Sequence, residues 1–188
     1  MAAIRQDDRV HGARSQQEEL QDWLARPGVK RALQACTDAV VQRITDDLEL
    51  RVPRTEQDRA DGFSLWLGRS KAKLRPAIQQ EFRHQFTGIH DRLREDYVRD
   101  LVSEMAWPQI EHFLLSYAVL GLSRSWISRN LGDAVIQCEP EWADGEWIVR
   151  LQIPDWPHDI GKVVLDPDGN IVLGRTSSRD EVLKALHA

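Results

Sequence analysis

From residue 15 to about residue 133 the apolar side chains recur at steps of three and four. From residue 134 onward they alternate, so the chain passes from helical to extended structure there. Residues 1–14 are polar and have no period, which predicts a mobile tail. Ser15-Gln16-Gln17-Glu18 has the capping-box spacing, in which the serine side chain takes the backbone N–H three residues on and the glutamate reaches back. It predicts a short helix carrying Leu20, Trp23 and Leu24, ended by Pro27-Gly28. A second helix follows, with Val29, Leu33, Cys36, Val40, Ile44 and Leu48 on one face. Residues 50–62 are charged, contain Pro53 and close on Gly62, which predicts a long surface loop.

Pro76 suits a first helical turn, where its missing N–H costs nothing. Ile78, Phe82, Phe86, Ile89, Leu93, Tyr97, Leu101 and Met105 continue one apolar stripe over about eight turns. Trp107-Pro108 is expected to end that helix. Pro108 then opens another, whose stretch from Phe113 to Leu122 is apolar almost all round and reads as central core. A further short helix is expected from Ser123 to Leu131.

In the alternating part, Asp144-Gly145 predicts a two-residue type I′ turn, because both residues tolerate positive φ. That turn sets Trp142 opposite Trp147, Pro140 opposite Val149, Cys138 opposite Leu151 and Ile136 opposite Ile153, all on one side. The other side pairs Glu139 with Arg150 and Gln137 with Gln152. A second hairpin joins residues 162–165 to 171–173 through Asp166-Pro167-Asp168-Gly169-Asn170. Ser178-Arg179-Asp180-Glu181 repeats the capping-box spacing and opens a last helix. The expected class is α+β: a mainly helical first two-thirds (15–133), then a small antiparallel meander of about four strands in two hairpins, with a terminal helix (134–188) sharing the same core.

Charge sharpens this division. The net charge is −5, and residues 134–188 alone carry 5 basic and 10 acidic side chains. An acidic sheet repels phosphate and makes a poor nucleic-acid platform. The first residues hold no apolar run that would serve as a signal peptide, and Phe113 to Leu122 is about half the length of a membrane span. The expected location is therefore cytoplasmic. Cys36 and Cys138 stand far apart and outside any CxxC spacing, which reads as two small core residues and not a disulfide or zinc framework.

The candidate chemistry is thin. Glu81-Phe82-Arg83-His84 has the Glu-x-x-His spacing that resembles carboxylate-bridged di-iron bundles. Such a site needs two of these motifs, and the chain has one. His90-Asp91 and His158-Asp159 resemble the dipeptide of His-Asp phosphohydrolases, but lie on a helix flank and in a proline-rich loop. No phosphate-binding glycine loop and no nucleophile elbow occurs. The expectation is no cofactor, no metal and no catalytic residue, with a small hydrolase or metal-dependent enzyme as the remote alternative.

Residues 117–131 carry the most specific local pattern. Gly121, Leu122, Ser123, Ile127, Ser128 and Arg129 resemble the helix-turn-helix of LacI-type repressors, which implies a DNA contact through Arg124, Ser125, Ser128 and Arg129. Tyr117 and Asn130 depart from it, standing where a small and an apolar residue are usual.

With catalysis unsupported, the leading expectation is a protein that acts by contact, as an adaptor, assembly subunit or regulator. Seven tryptophans are present, and Trp is enriched at interface centres. Trp23, Trp66, Trp107 and Trp126 fall on helical apolar faces or ends, whereas Trp156 stands between two prolines in a loop with neither period. Trp156, His158 and Asp159 are the candidate contact residues. The expected partner is another protein with a basic surface and not a membrane; a DNA-binding regulator acting through 117–131 is the alternative, and self-association stays open.

Overall fold

The change of period near residue 134 is a change of structure. The computed structural model describes residues 18–48, 56–85, 92–156 and 158–187, with side chains at 56–60 and 92–94 outside that description. The helices named among the described residues come first: α1 (18–25), α2 (Pro27–Asp46), α3 (Glu56–Gln85) and α4 (Arg92–Asn130). An antiparallel sheet follows, made of β1 (Ile136–Gln137), β2 (Glu141–Ala143), β3 (Glu146–Gln152) and β4 (Gly161–Leu165), and α5 (Arg179–Ala185) ends the chain. The chain is α+β. It divides into two compact units, Met1–Asp47 with Arg75–Gln109, and Leu48–Leu74 with Ile110–Ala188.

In the first unit, Pro27 opens α2 instead of closing α1. A residue before proline is driven out of the helical region, and Arg26 at φ −63°, ψ 130° alone separates the two helices. The stripe of α2 is buried as the spacing implies, at Leu33, Cys36, Val40 and Ile44. Pro76 lies inside α3, not at its start. The long stripe holds at Ile78 and Phe82, which are buried on α3, while its middle, residues 86–91, lies outside the described residues. Val98, Val102 and Ala106 are buried in place of Tyr97, Leu101 and Met105. Phe86, Gly88, Ile89 and the His90-Asp91 pair lie outside the described residues, as do residues 1–14 and the Ser15 cap. Pro108 does not end the helix, although its missing N–H leaves the Glu104 carbonyl without its helical donor.

In the second unit, the expected 50–62 loop is helical from Glu56, with a break at Gly62 (φ 79°, ψ 175°) before Phe63; residues 49–55 are outside the described set. Charge there does not mean irregularity, since Glu, Gln, Arg and Ala all favour helix. Phe63, Trp66 and Leu74 are buried on α3. On α4, Leu114, Ala118, Val119 and Ile127 are buried, but Phe113 and Tyr117 are not, so the stretch from Phe113 to Leu122 has one open face.

β3 is the central strand, with β4 on one side and β2 then β1 along the other. Asp144 (φ 53°) and Gly145 (φ 78°) make the turn, and Trp142 faces Trp147 as the sequence implies. Beyond Glu141 the ladder slips by one. Gln137 pairs with Leu151 and Ile136 with Gln152, because Cys138, Glu139 and Pro140 stand against only Val149 and Arg150. Pro140 has no N–H for the ladder, and the extra residue is accommodated as a bulge. A one-residue slip exchanges faces. The expected pairs Ile136–Ile153, Cys138–Leu151, Pro140–Val149, Gln137–Gln152 and Glu139–Arg150 are therefore replaced. Gln137 turns inward and donates to the Leu120 carbonyl at 3.1 Å and to the Ser123 hydroxyl.

The second hairpin closes at Leu165–Ile171 with a single bridge, and residues 171–173 do not form a strand. Side chains take over the edge of β4 instead. Ser177 Oγ accepts the Lys162 N–H and Thr176 Oγ1 the Val164 N–H, each at 3.0 Å. The capping box at Ser178 and Glu181 is complete and starts α5.

Candidate functional site

Between β3 and β4 the chain reverses, and Asp155, Asp159 and Ile160 shape the reversal. Ile160 is buried and its N–H donates to the Leu151 carbonyl at 2.8 Å, closing the base of the loop. Asp155 takes φ 64°, a left-handed conformation that aspartate tolerates. The Trp156 N–H donates back to the Ile153 carbonyl at 3.2 Å. Trp156 is thus set at the tip, 40% exposed, with its ring edge-on to His158 at 6.1 Å and 79°.

Asp159 fastens this loop to the sheet. One carboxylate oxygen accepts from Gln152 Nε2 at 3.0 Å and the other from Arg150 at 3.2 Å, while Arg150 also donates to Glu141 at 3.1 Å. The Gln152 hydrogen bond is the largest influence holding the Asp159 carboxyl below its usual range; partial burial opposes it and Arg150 adds to it. Glu141 and Asp159 in turn hold the Arg150 guanidinium more firmly protonated.

Of the three candidate contact residues, Trp156 and His158 therefore come together at the tip. Asp159 does a different job, since it is turned to Arg150 and Gln152 and positions the loop. Sequence reading set Arg150 opposite Glu139, and the bulge at Cys138–Pro140 is why Glu141 takes that place.

The helix-turn-helix expectation fails on geometry. Gly121 lies inside α4, which runs unbroken from Arg92 to Asn130, so no turn separates two helices. Ser125 donates to the Gly121 carbonyl at 3.0 Å and Ser128 to Asp133, while Arg124 and Arg129 are exposed on the same continuous helix. Glu81 accepts from Gln85 at 3.2 Å near the end of α3. Among the described residues no group of three or more His, Cys, Asp or Glu side chains is placed to hold a metal ion. Nor is any helix among them long and apolar enough to cross a membrane.

The Trp142–Trp147 pair read from the sequence gains a third ring from α4 that the sequence did not indicate. His112 of α4 lies 5.7 Å from Trp147, which meets Trp142 edge-on at 5.1 Å and 62°.

Fold and loop define an α+β protein with an aromatic-tipped reversal on an antiparallel sheet. Comparison with family models, with curated proteins and with solved structures gave no match.

Proposed function

We propose that this chain works by non-catalytic contact with another protein, as an adaptor, assembly subunit or regulator within a larger complex, and that the Trp156 loop is a contact point. The observation that carries the reading is the placement of Trp156: 40% exposed, yet on a backbone fastened by Ile160 and by the Asp159 bonds to Arg150 and Gln152. An indole held in this way loses little freedom when a partner covers it. Covering the open part of such a ring removes on the order of 100 Å² from water, or roughly 2–3 kcal/mol. The excess of 10 acidic over 5 basic residues in 134–188 favours a partner with a basic surface and faster encounter at low salt.

Affinity purification from the native host, with wild-type and Trp156→Ala baits compared by mass spectrometry, tests the reading. The expected result is a reproducible protein partner lost or depleted with Trp156→Ala, while the melting temperature of the variant is nearly unchanged. An identical set of partners with both baits would remove Trp156 from the contact. Turnover of a small molecule by a chain that retains nothing would overturn the reading as a whole.

A further inference from the structure

Residues 134–149, which form the β1–β2 side of the sheet, hold four carboxylates and no Lys or Arg. Glu141 is offset by Arg150 and Glu146 by Arg175, both from outside this stretch, whereas Glu139 and Asp144 are exposed. Among the described residues no further strand pairs with β1 or β2, while the opposite edge of the sheet is taken by Thr176 and Ser177.

Two contacts show how α4 lies against this side. His112 meets Trp147 near the hairpin turn, and Leu120 and Ser123 meet Gln137 farther along. The sheet-facing line of α4 thus runs through positions 112, 116, 119, 120 and 123. Phe113 and Tyr117 fall on the adjacent strip, about 100° round the helix, and stay 50% and 40% exposed. The opposite flank, with Leu114 and Ala118, is buried. Phe63 of α3 rests on Gly169 in the turn after β4, so α3 meets the second hairpin at its turn. Trp142 faces Trp147 across the ladder and so lies on the sheet face that α4 covers, where it is 49% exposed.

We propose that Phe113, Tyr117 and Trp142 form one aromatic docking strip between α4 and the β1–β2 edge. Its occupant is an amphipathic segment of another protein that carries Lys or Arg beside its apolar residues. The apolar side chains of such a segment cover Phe113 and Tyr117, and its cations meet the open face of the Trp142 ring and the carboxylates of Glu139 and Asp144. The same carboxylates disfavour nucleic acid. This inference rests on the contact reading above and adds a second surface to it. Trp142 lies at the turn end of β3 and Trp156 beyond the other end, roughly 20 Å of strand apart.

The test is selection of a phage-displayed random peptide library on the purified full chain, followed by fluorescence anisotropy with a labelled enriched peptide. Enriched peptides are expected to combine aromatic or aliphatic residues with Lys or Arg, and to bind more weakly as salt rises. Affinity should fall at least tenfold with Trp142→Ser and with Phe113→Ser, and stay unchanged with Trp156→Ala. Phe113 is far enough exposed that its substitution keeps the test open if Trp142→Ser unfolds, which near-ultraviolet circular dichroism detects. No enrichment, enrichment of acidic peptides, or binding by both serine variants as tight as by the wild type would overturn the strip. So would a concentration-dependent dimer that these substitutions abolish, since the occupant would then be a second copy of the chain. Peptides lost only with Trp156→Ala would overturn the strip and leave the contact reading standing.

Discussion

The ring of Phe63 lies against Gly169 so closely that a Cβ added there would stand 2.6 Å from Phe63 Cζ. Gly169 also holds φ 87°, where side chains are strained whatever the space around them. The turn that Asp166 organises, accepting from the Asp168 and Asn170 N–H groups at 3.0 and 2.8 Å, is thus pressed onto α3 at its one residue without a side chain. Gly169→Ala is expected to cost about 2–4 kcal/mol, from left-handed backbone strain and overpacking together. Urea unfolding measures it. In a double-mutant cycle with Phe63→Leu the two losses should not add, because the smaller side chain relieves the clash; strict additivity would disprove the contact.

The bulge at Cys138–Pro140 makes a prediction opposite to the one the uninterrupted ladder makes. With the slipped register Gln137 points inward onto Leu120 and Ser123, and Ile136 is 48% exposed. Gln137→Ala should therefore destabilise the protein by about 1–2 kcal/mol, the cost of leaving part-buried groups unpaired. Ile136→Ala should cost under ~0.5 kcal/mol, as surface changes usually do. Reversal of that order in denaturant titrations would restore the regular register.

These two sites show what was legible in the sequence. Turn chemistry and capping are local, so Asp144-Gly145 with Trp142 opposite Trp147, and the Ser178–Glu181 box, were readable from a few residues. What failed depended on longer range. Pro76 and Pro108 are carried inside long helices, which tertiary packing permits at the loss of one hydrogen bond each. The stripe from Ile78 to Met105 matched one period by residue type, but on α4 the buried line runs through Val98 and Val102 and not through Tyr97 and Leu101. The Trp156 loop announced itself by losing both periods. Its fastening by Arg150 and Gln152 did not, because it depends on a bulge that a proline creates in another strand.

Cys36 faces the core from α2, and burial pushes its thiol up to about 11. Since the thiolate is the reactive species, the native protein should leave Cys36 unlabelled by Ellman's reagent at mildly alkaline pH. Cys138 is half-buried, and burial first, then the charge of Asp159, raise its thiol as well. It should label slowly but before Cys36. Cys36 should react only as fast as the protein unfolds, so denaturant and labelling rate must rise together. Immediate labelling of two thiols in native buffer would contradict the burial of α2.

The clamp on the Trp156 loop should weaken in acid, and the sign follows from Asp159. Its carboxyl is held below the ordinary 3.8 in the folded chain, chiefly by Gln152, so the clamp stabilises above that value and is lost as pH falls through the folded one. The side chain is 37% exposed, so Arg150 contributes as a screened surface charge and the neutral Gln152 bond matters more. Asp159→Ala should lower the melting temperature near neutral pH, and its effect should shrink as the pH falls below the ordinary value and through the lower folded one. Carbon NMR of the carboxyl separates the two partners. Gln152→Ala should raise the Asp159 titration midpoint more than about 1 M salt does in the wild type, since salt screens only the Arg150 part. A folded chain in which Asp159 titrates at or above its ordinary value would mean that neither partner holds it. The loop would then be free of the sheet, and Trp156 would lose the ordering on which its proposed contact depends.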